Sequence, residues 1–497
     1  MLRPLLLLSA ALSAALTMAG AEEHADTLTV GVEINQTISS GDHSPLWLTA
    51  NRQGLSSIDK GFGYVDVSAI KKMTPERRFT WGAGVELAVP WEFTSDFVVQ
   101  QLYAEMKYRS LSLSIGSKNQ TSDLVDANLS SGDLLFSGNA RPIPQIKAGI
   151  LEYQPWKFVN DWVGIKGYLA YGKFTDSGWQ EDWAAEGSRY AKRAWVCSRG
   201  IWLKGGNEKK FPLVFKVGLE MATQFRGTIY NLQLAGSDEK ITLNMPKGLE
   251  SWFKALVPMP GGSNTILTES TNVEGNTIGT WNFSLEWLPD ADWRLKAYWQ
   301  HIYEDHSMMW IEYPWKDGMW GVQAWLPKNR VLSSVVAEFL YSKFQSGSVY
   351  NDSSAEVPEQ VSGVDSYYNH ELYPGWMHWG MGIGNPLTIA PIYNSDHILQ
   401  FTGTRNISYH FGLSGNPVEG LDWRVLLSNT RSWGTYLYPY PEVRSMWNFL
   451  AEAKWRPAKV KGLECKLAVA FDSGDLAGKN FGVLLGVRYD LPFLFVK

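Results

Sequence analysis

The segment Phe79–Val89 reads FTWGAGVELAV, and every second residue in it is apolar. Phenylalanine, tryptophan, alanine, valine and leucine occupy the odd positions, whereas the even positions hold threonine, glycine, glutamate and alanine. Successive side chains of a β-strand point to opposite faces. The segment is therefore predicted to be a strand with one apolar face and one face of small or polar residues.

The same alternation recurs in Leu28–Asn35 (LTVGVEIN) and in Phe481–Tyr489 (FGVLLGVRY). Alternating segments of about 10 residues, separated by turn residues, are typical of outer-membrane β-barrels. The sequence also contains 24 Trp, 22 Tyr and 21 Phe. Aromatic side chains suit the two lipid–water interfaces of a barrel wall, but they suit sugar binding equally well. The aromatic content alone therefore decides nothing about function.

The first residues have the pattern of an export signal. Arg3 precedes an almost wholly apolar run, Leu5–Met18, and Ala19–Ala21 supplies small residues for cleavage. We predict a signal peptide over 1–21 and a single outer-membrane β-barrel domain over 22–497. No later run reaches the roughly 18 consecutive apolar residues of a membrane-spanning helix. If the chain crosses a membrane, it is expected to do so with strands.

The connections between alternating segments fall into two classes that follow one another in turn. One class is short and built from proline, glycine and charged residues, as in 72–78 and 289–292. The other class is long. Its largest members are 39–60, 119–143, 176–192, 227–275 and 344–397. Outer-membrane barrels alternate short periplasmic turns with long outside loops in this way.

Counting the segments between these connections predicts eighteen strands, an even number. The fold class is therefore predicted to be all-β, a transmembrane antiparallel β-barrel with long extracellular loops that plug the lumen. A secreted soluble β protein is the alternative. The strands are predicted at 28–38, 61–71, 79–90, 97–108, 111–118, 144–151, 159–175, 193–204, 211–226, 276–288, 293–305, 317–326, 330–343, 398–414, 421–433, 445–456, 462–472 and 480–492.

Charged residues of both signs fall on one face of several predicted strands. Glu105 and Lys107, for example, alternate with Leu102, Met106 and Tyr108. Such faces fit a polar lumen. The simplest interpretation is a network of ion pairs that holds the wall in shape, and a filter for an anionic polymer is the alternative.

Most catalytic and metal-binding patterns are missing from the sequence. It has no Gly-x-Ser-x-Gly elbow, no His-Glu-x-x-His and no phosphate loop. His301 and His306 are not at a recognised metal-ligand spacing, and Ser408 with His410 fits a polar strand face. The formal charge of −5 and the lack of a long basic run argue against nucleic acid as a partner. We therefore expect no enzymatic activity, no metal and no cofactor.

The most distinctive segment lies in the longest connection and is rich in tyrosine, tryptophan and histidine. Flat aromatic faces suit sugar C–H groups, and neighbouring polar groups can bind hydroxyls. The alternative is that these rings fold back and pack a plug. The residues predicted to bind polysaccharide, from this segment and from two other long-side loops, are Tyr367, Tyr368, His370, Glu371, Tyr373, Trp376, His378, Trp379, Trp310, Trp315, Tyr436 and Tyr438.

Four motifs give a more specific resemblance. They are Leu48–Gly54 (LTANRQG), Ser137–Gln145 (SGNARPIPQ), Gly218–Ala222 (GLEMA) and Asn369–Trp376 (NHELYPGW). Together they resemble the capsule assembly Wzi family, over essentially the whole chain from about Ser39. The resemblance implies an 18-stranded outer-membrane lectin without enzymatic activity, which attaches capsular polysaccharide to the cell surface. Its expected partners are capsular or other surface polysaccharide, outer-membrane lipid and the barrel-assembly machinery. A transport barrel for sugars or polysaccharide export is the alternative function.

Overall fold

The computed structural model describes residues 27–74, 76–233, 238–258, 274–289, 292–304, 316–327, 331–345 and 366–494. The predicted signal peptide lies outside these residues, so it stays a prediction. Among the described residues, no helix has the length and apolar character needed to cross a membrane.

The chain forms a closed antiparallel barrel of eighteen strands, as predicted. The first strand pairs with the last over its whole length, from Thr27 opposite Leu494 to Gly41 opposite Asn480. The barrel strands are β1 (Thr27–Gly41), β2 (Gly63–Lys71), β3 (Phe79–Trp91), β4 (Val98–Tyr108), β5 (Leu111–Ser117), β6 (Gln145–Pro155), β7 (Val163–Lys173), β9 (Trp195–Gly205), β10 (Leu213–Phe225), β13 (Asn276–Trp287), β14 (Arg294–Glu304), β15 (Gly318–Trp325), β16 (Ser334–Tyr341), β19 (Asn406–Val418), β20 (Leu421–Gly434), β21 (Pro439–Trp455), β22 (Leu463–Gly474) and β23 (Asn480–Leu494).

Shorter elements lie in the connections. They are α1 (Leu46–Thr49), α2 (Ser177–Trp183), β8 (Tyr190–Lys192), β11 (Thr228–Gln233), β12 (Lys240–Asn244), α3 (Leu249–Leu256), β17 (Met377–His378) and β18 (Met381–Gly382). Strands β8, β11 and β12 form a small sheet of their own. All these elements belong to the long connections at one end of the barrel, which we call the loop end. The other end carries the short connections and is called the turn end.

The two faces of the wall divide as the alternation predicts. On β4, Leu102 and Met106 point outward and are exposed, whereas Glu105 and Lys107 point into the lumen and are buried. Lumenal charges pair across strands, as Lys118 does with Glu105 at 2.7 Å. These contacts support the interpretation of the charged faces as a lumenal ion-pair network.

One strand starts later than predicted. The alternation suggested a strand from residue 398, but β19 begins at Asn406. Leu399 and Phe401 are instead buried among aromatic residues of the preceding loop. Burial of these two side chains inside the lumen therefore overrides the local strand pattern, which cannot reveal such a tertiary contact.

Three loops fold back into the lumen. Residues 42–62, 118–144 and 366–405 are together called the plug. Each is tied to the wall by a buried hydrogen bond to a lumenal side chain. The backbone nitrogens of Leu46, Ser131 and Tyr368 donate to the carboxylates of Asp472, Glu338 and Glu304, over 2.9, 2.8 and 2.6 Å. The prediction of a plugged lumen is therefore confirmed.

Candidate functional site at the loop end

Four of the predicted sugar-binding tyrosines and tryptophans are buried. Trp376 has no exposed surface and lies between Phe136 and Phe174, with its indole nitrogen donating to the Leu135 carbonyl over 2.9 Å. Tyr373 is equally buried, and its hydroxyl donates to the Arg226 carbonyl over 2.9 Å. In this structure these rings pack the plug, which is the alternative that the sequence left open.

Tyr367 and Tyr368 serve as anchors of the same loop. The Tyr367 hydroxyl donates to Asp317, just before strand β15, over 2.8 Å. The Tyr368 hydroxyl donates to the Leu134 carbonyl in another part of the plug over 2.7 Å. Burial raises the pKa of Asp317 to about 6, although hydrogen bonds from Gln345 and Tyr367 oppose the shift. The two tyrosines therefore hold the loop to the wall and to the plug.

His370 and Glu371 lie closer to the surface. The Nδ1 atom of His370 accepts a hydrogen bond from the backbone nitrogen of Leu372 over 3.1 Å, so it must be unprotonated there. Removal from water, reinforced by the charge of Arg189, lowers the pKa of His370 to about 3. The Glu371 carbonyl accepts a hydrogen bond from the Arg189 guanidinium, and the Glu371 side chain is exposed.

His378 and Trp379 lie where this loop meets the residues that follow strand β7. The His378 ring is buried and contacts Thr175 through Nε2 at 3.0 Å. Trp379 is partly exposed, and the Arg141 guanidinium lies over its ring at 4.5 Å. Burial lowers the pKa of Arg141 to about 10, although the charge of Asp176 opposes the shift. Of the two predicted tryptophans that the structure describes, Trp376 is buried and Trp379 is partly exposed to solvent.

The remaining predicted residues are separate from this cluster. Tyr438 is highly exposed, and Tyr436 lies 4.1 Å from the Arg405 guanidinium, both in the connection between β20 and β21. Trp310 and Trp315 lie outside the described residues. The prediction that these twelve residues bind polysaccharide therefore stays a prediction, and the described members differ sharply in how much surface they expose.

The sequence reading missed a set of stacked rings on helix α2. Trp179 and Trp183 stack at 5.3 Å between ring centroids, and the His397 ring stacks on Trp183 at 4.7 Å with an interplanar angle of 8°. Trp179 in turn lies against Gly380, directly beside Trp379. The rings of Trp179, Trp183 and His397 therefore form one stacked row, and Trp379 is joined to it through the neighbouring Gly380.

A second stacked pair lies next to this row. The rings of Tyr190 and Tyr230 stack at 4.9 Å with an interplanar angle of 9°, and Lys192 lies over both. The Tyr190 hydroxyl donates to Glu181 of helix α2 over 3.3 Å, which joins the pair to the first row. We call Trp179, Trp183, Tyr190, Tyr230, Trp379 and His397 together the aromatic surface.

The aromatic surface combines ring faces with nearby charged groups, which together suit a ligand that has both apolar faces and hydroxyl groups. Five of its rings are partly exposed and His397 is exposed. The paired charges of Glu181 and Lys192 lie beside Tyr190, and Arg189 precedes Tyr190 in the chain. Ring faces contact C–H groups, whereas the charged tips can exchange hydrogen bonds with hydroxyls. The signal in the sequence was the pair Trp179 and Trp183, which fall on one side of a helix at a spacing of four residues.

Among the described residues, the interior contains small cavities. A cavity of about 150 Å³ lies between plug segment 118–144 and the wall, lined in part by Asp123, Lys147, Lys166 and Trp202. Two smaller cavities of about 40 and 30 Å³ share Gln120 with it. Across the residues with described positions, no group of three or more histidine, cysteine, aspartate or glutamate side chains could hold a metal ion.

The fold defines the class as a closed eighteen-stranded antiparallel β-barrel with a plugged lumen. No known protein-family profile matches the chain, and no curated protein matches its sequence significantly. Among solved structures the chain is similar to Escherichia coli Wzi, described as an outer-membrane, carbohydrate-binding β-barrel involved in group 1 capsule assembly. The two share 12% identity over 99% of this chain and 88% of Wzi, with a TM-score of 0.57.

Two Pseudomonas aeruginosa proteins, OccK3 and OprD, also align. OccK3 shares 10% identity over 94% of this chain and 96% of its own, with a TM-score of 0.45. OprD shares 12% identity over 96% of this chain and 98% of its own, with a TM-score of 0.46. The comparison with Wzi therefore establishes the barrel fold.

Proposed function

We propose that this protein is an outer-membrane barrel that binds a surface polysaccharide and helps to attach it to the cell. The observation that carries this proposal is the aromatic surface, a row of stacked and solvent-facing rings at the loop end of a plugged barrel. Likeness in fold to a barrel described as carbohydrate-binding supports the same function.

The outer membrane is the location that the wall supports best. Apolar residues of the outer face such as Ile201, Phe215 and Leu485 are about half exposed. Contact of so many apolar side chains with water is unfavourable, whereas contact with lipid is favourable. The lumenal face is polar instead and carries ion pairs such as Lys118 with Glu105. A barrel satisfies all its backbone hydrogen bonds internally and can therefore cross a membrane without helices. The loop end would then face the exterior of the cell.

Polysaccharide suits the aromatic surface better than a small ligand would. The rings form two stacked groups, Trp179–Trp183–His397 and Tyr190–Tyr230, that are joined through Glu181, so a ligand of several sugar units could contact both groups at once. A polymer presents the same weakly bound unit many times, and avidity then supplies retention that one sugar ring cannot. Arg189, Lys192 and Glu181 would select among hydroxyl, carboxylate and amide substituents of the polymer.

Transport of sugars or polymer is the second candidate function. The observation in its favour is the group of adjoining cavities around Gln120 within the plug. Against it stand the buried hydrogen bonds that tie each plug segment to the wall. A binding barrel predicts little steady ion conductance in a planar lipid bilayer, whereas a transport barrel predicts large and voltage-independent conductance.

The test of the binding function uses cells and purified protein together. Deleting the gene should reduce cell-bound polysaccharide while polymer still appears in the medium, because synthesis and export would continue. Full-length protein in detergent should be retained on immobilised polysaccharide from the same cells and released by soluble polymer. Equal cell-bound polymer with and without the gene, together with no retention, would overturn the proposal.

A further inference from the structure

Helix α3 lies against the outer wall of the barrel rather than over its mouth. Its Trp252 packs against Tyr171, Trp195 and Phe225, with ring centroids 4.9, 5.1 and 5.3 Å away. The Tyr171 hydroxyl also donates to the Trp252 carbonyl over 2.9 Å. These three wall residues lie on β7, β9 and β10.

The register shows that this part of the wall faces outward. Trp202 on β9 lies opposite Lys166 on β7, and both line the lumenal cavity. Side chains alternate between the two faces of a strand, so the odd-numbered residues of these strands point outward. Cys197 is one of them, yet it has no exposed surface, because it belongs to the apolar cluster formed with Ala255 of the helix.

The helix has one buried side of small residues and one exposed apolar side. Ser251 and Ala255, four residues apart, are buried and include only small side chains, which lets the helix approach the wall closely. Leu249 and Phe253 are 88% and 55% exposed, and Val257, directly after the helix, is 40% exposed. Residues at this spacing lie one above another on a helix, so among the described residues they form a single exposed apolar stripe.

The remaining side of the helix is polar. Lys254 pairs with Glu250 at 2.8 Å and with Glu274 at 3.3 Å, and the Glu250 side chain is 75% exposed. A helix with one apolar stripe and one charged edge is suited to the boundary between lipid and water. On β9 the outward-facing residues beyond Cys197 include Ile201 and Leu203, which are 52% and 41% exposed.

We propose that α3 is an interfacial helix whose Leu249, Phe253 and Val257 side chains insert into the outer leaflet of the membrane. The apolar stripe would continue the lipid-facing surface of β9 and β10, to which the exposed Ile201, Leu203 and Phe215 belong. The helix then fixes the connection between β10 and β13 to the membrane surface beside the aromatic surface. This inference rests on the outer-membrane location proposed above.

Depth-dependent quenching tests the inference in the full-length protein. A background with Cys197→Ala and Cys465→Ser receives one new cysteine, by Phe253→Cys, Glu250→Cys or Leu485→Cys, each labelled with an environment-sensitive fluorophore. The protein is placed in phosphatidylcholine–phosphatidylglycerol vesicles that contain a nitroxide-labelled phosphatidylcholine. The label at 253 should be quenched by the nitroxide lipid and protected from iodide, whereas the label at 250 should show the opposite.

The label at 485 separates failure of the inference from failure of membrane insertion. Position 485 is on the outward face of the wall, so the nitroxide lipid should quench it whenever the barrel has inserted. Quenching at 485 but not at 253, with iodide reaching 253 as readily as 250, would overturn the interfacial helix. Protection of 253 from both quenchers would also overturn it, because it would indicate contact with protein, including a second copy of this chain. No lipid quenching at 485 would overturn the membrane location on which the inference rests.

The buried thiol of Cys197 gives a second readout that does not depend on labelling the helix. In a Cys465→Ser background, a membrane-impermeant maleimide should fail to modify Cys197 because α3 covers it. Leu249→Asp combined with Phe253→Asp should lift the helix and make Cys197 reactive, with heat-modifiability on gels unchanged. Full protection of Cys197 in that double variant would contradict a role for lipid in holding the helix.

Discussion

Glu338 on strand β16 accepts hydrogen bonds from both the backbone nitrogen and the hydroxyl of Ser131 in the plug, over 2.8 and 2.6 Å. The same carboxylate accepts a hydrogen bond from the Ser130 hydroxyl over 2.5 Å. One wall side chain thus holds two consecutive plug residues through three donors, all of them buried. The strength of this attachment decides whether the lumen stays closed.

Glu338→Ala should loosen plug segment 118–144. The substitution leaves the buried donors of Ser130 and Ser131 without an acceptor, at a cost of about 1–3 kcal/mol for each unsatisfied group. We expect conductance events in planar bilayers that the wild-type protein does not show, and faster proteolysis within 118–144. Glu208→Ala, in a connection at the turn end, is the matched control. Identical conductance and proteolysis in both variants would show that the plug does not depend on Glu338.

The two faces of the wall should tolerate substitution very differently. Leu485 points outward and Lys466 points into the lumen, on adjacent strands. Leu485→Arg should impair membrane insertion by about 2–4 kcal/mol if the site lies near the bilayer midplane. Lys466→Ser should be milder, because its partner Glu33 keeps a second ion pair with Arg488 at 3.3 Å. Refolding yield into vesicles measures both, and equal yields would invalidate the assigned register.

Trp183 and Trp376 should separate binding from stability. Trp183→Ala removes a partly exposed ring and should weaken binding of a short polysaccharide fragment by about 1 kcal/mol or more, with thermal stability unchanged. Trp376→Ala removes a fully buried ring and should destabilise the plug by about 3–5 kcal/mol. Calorimetric titration and thermal melting distinguish the two outcomes. Wild-type affinity in Trp183→Ala would exclude this ring from the binding surface.

The loop around His370 should lose order in acid. The pKa of His370 is lowered from 6.5 to about 3 in the folded protein, so folding favours the neutral ring. Its contribution to stability is therefore complete above pH 6.5 and is lost progressively as the pH falls from 6.5 toward 3. Hydrogen exchange of residues 366–379, divided by the intrinsic exchange rate at each pH, should increase as the pH falls from 7 to 4.5. His370→Gln should flatten this change, and an unchanged pH profile in that variant would assign it to other groups.

The barrel could be predicted because its wall repeats one simple rule. The alternation in Phe79–Val89 required no knowledge of the neighbouring strands, and β3 is found at Phe79–Trp91. The alternation of short and long connections then gave the strand number. Strand β19 begins later than predicted because Leu399 and Phe401 are buried in the plug. The local sequence pattern of a loop does not reveal such contacts.

The candidate site was less predictable for the same physical reason. Trp376 and Trp183 both lie in aromatic-rich loops, yet one is wholly buried and the other partly exposed. Loop side chains have no periodicity that separates an inner from an outer face, so composition could identify an aromatic-rich mouth but not its solvent-facing rings. Those rings come from three distant parts of the chain and meet only in the folded protein.

The attachment of the first plug segment sets the order in which the protein can assemble. The backbone nitrogen of Leu46 is held by Asp472, 426 residues later in the chain, and Arg52 is held by Glu452, 400 residues later. Contacts between such distant residues form late, because the chain loses conformational entropy when a long loop closes and the contacts offset this loss only afterwards. The earliest plug segment must therefore wait for strands β21 and β22, which arrive just before β23 closes against β1. The barrel wall therefore closes and the first plug segment docks in the same late step. A chain that ends before β21 could complete neither.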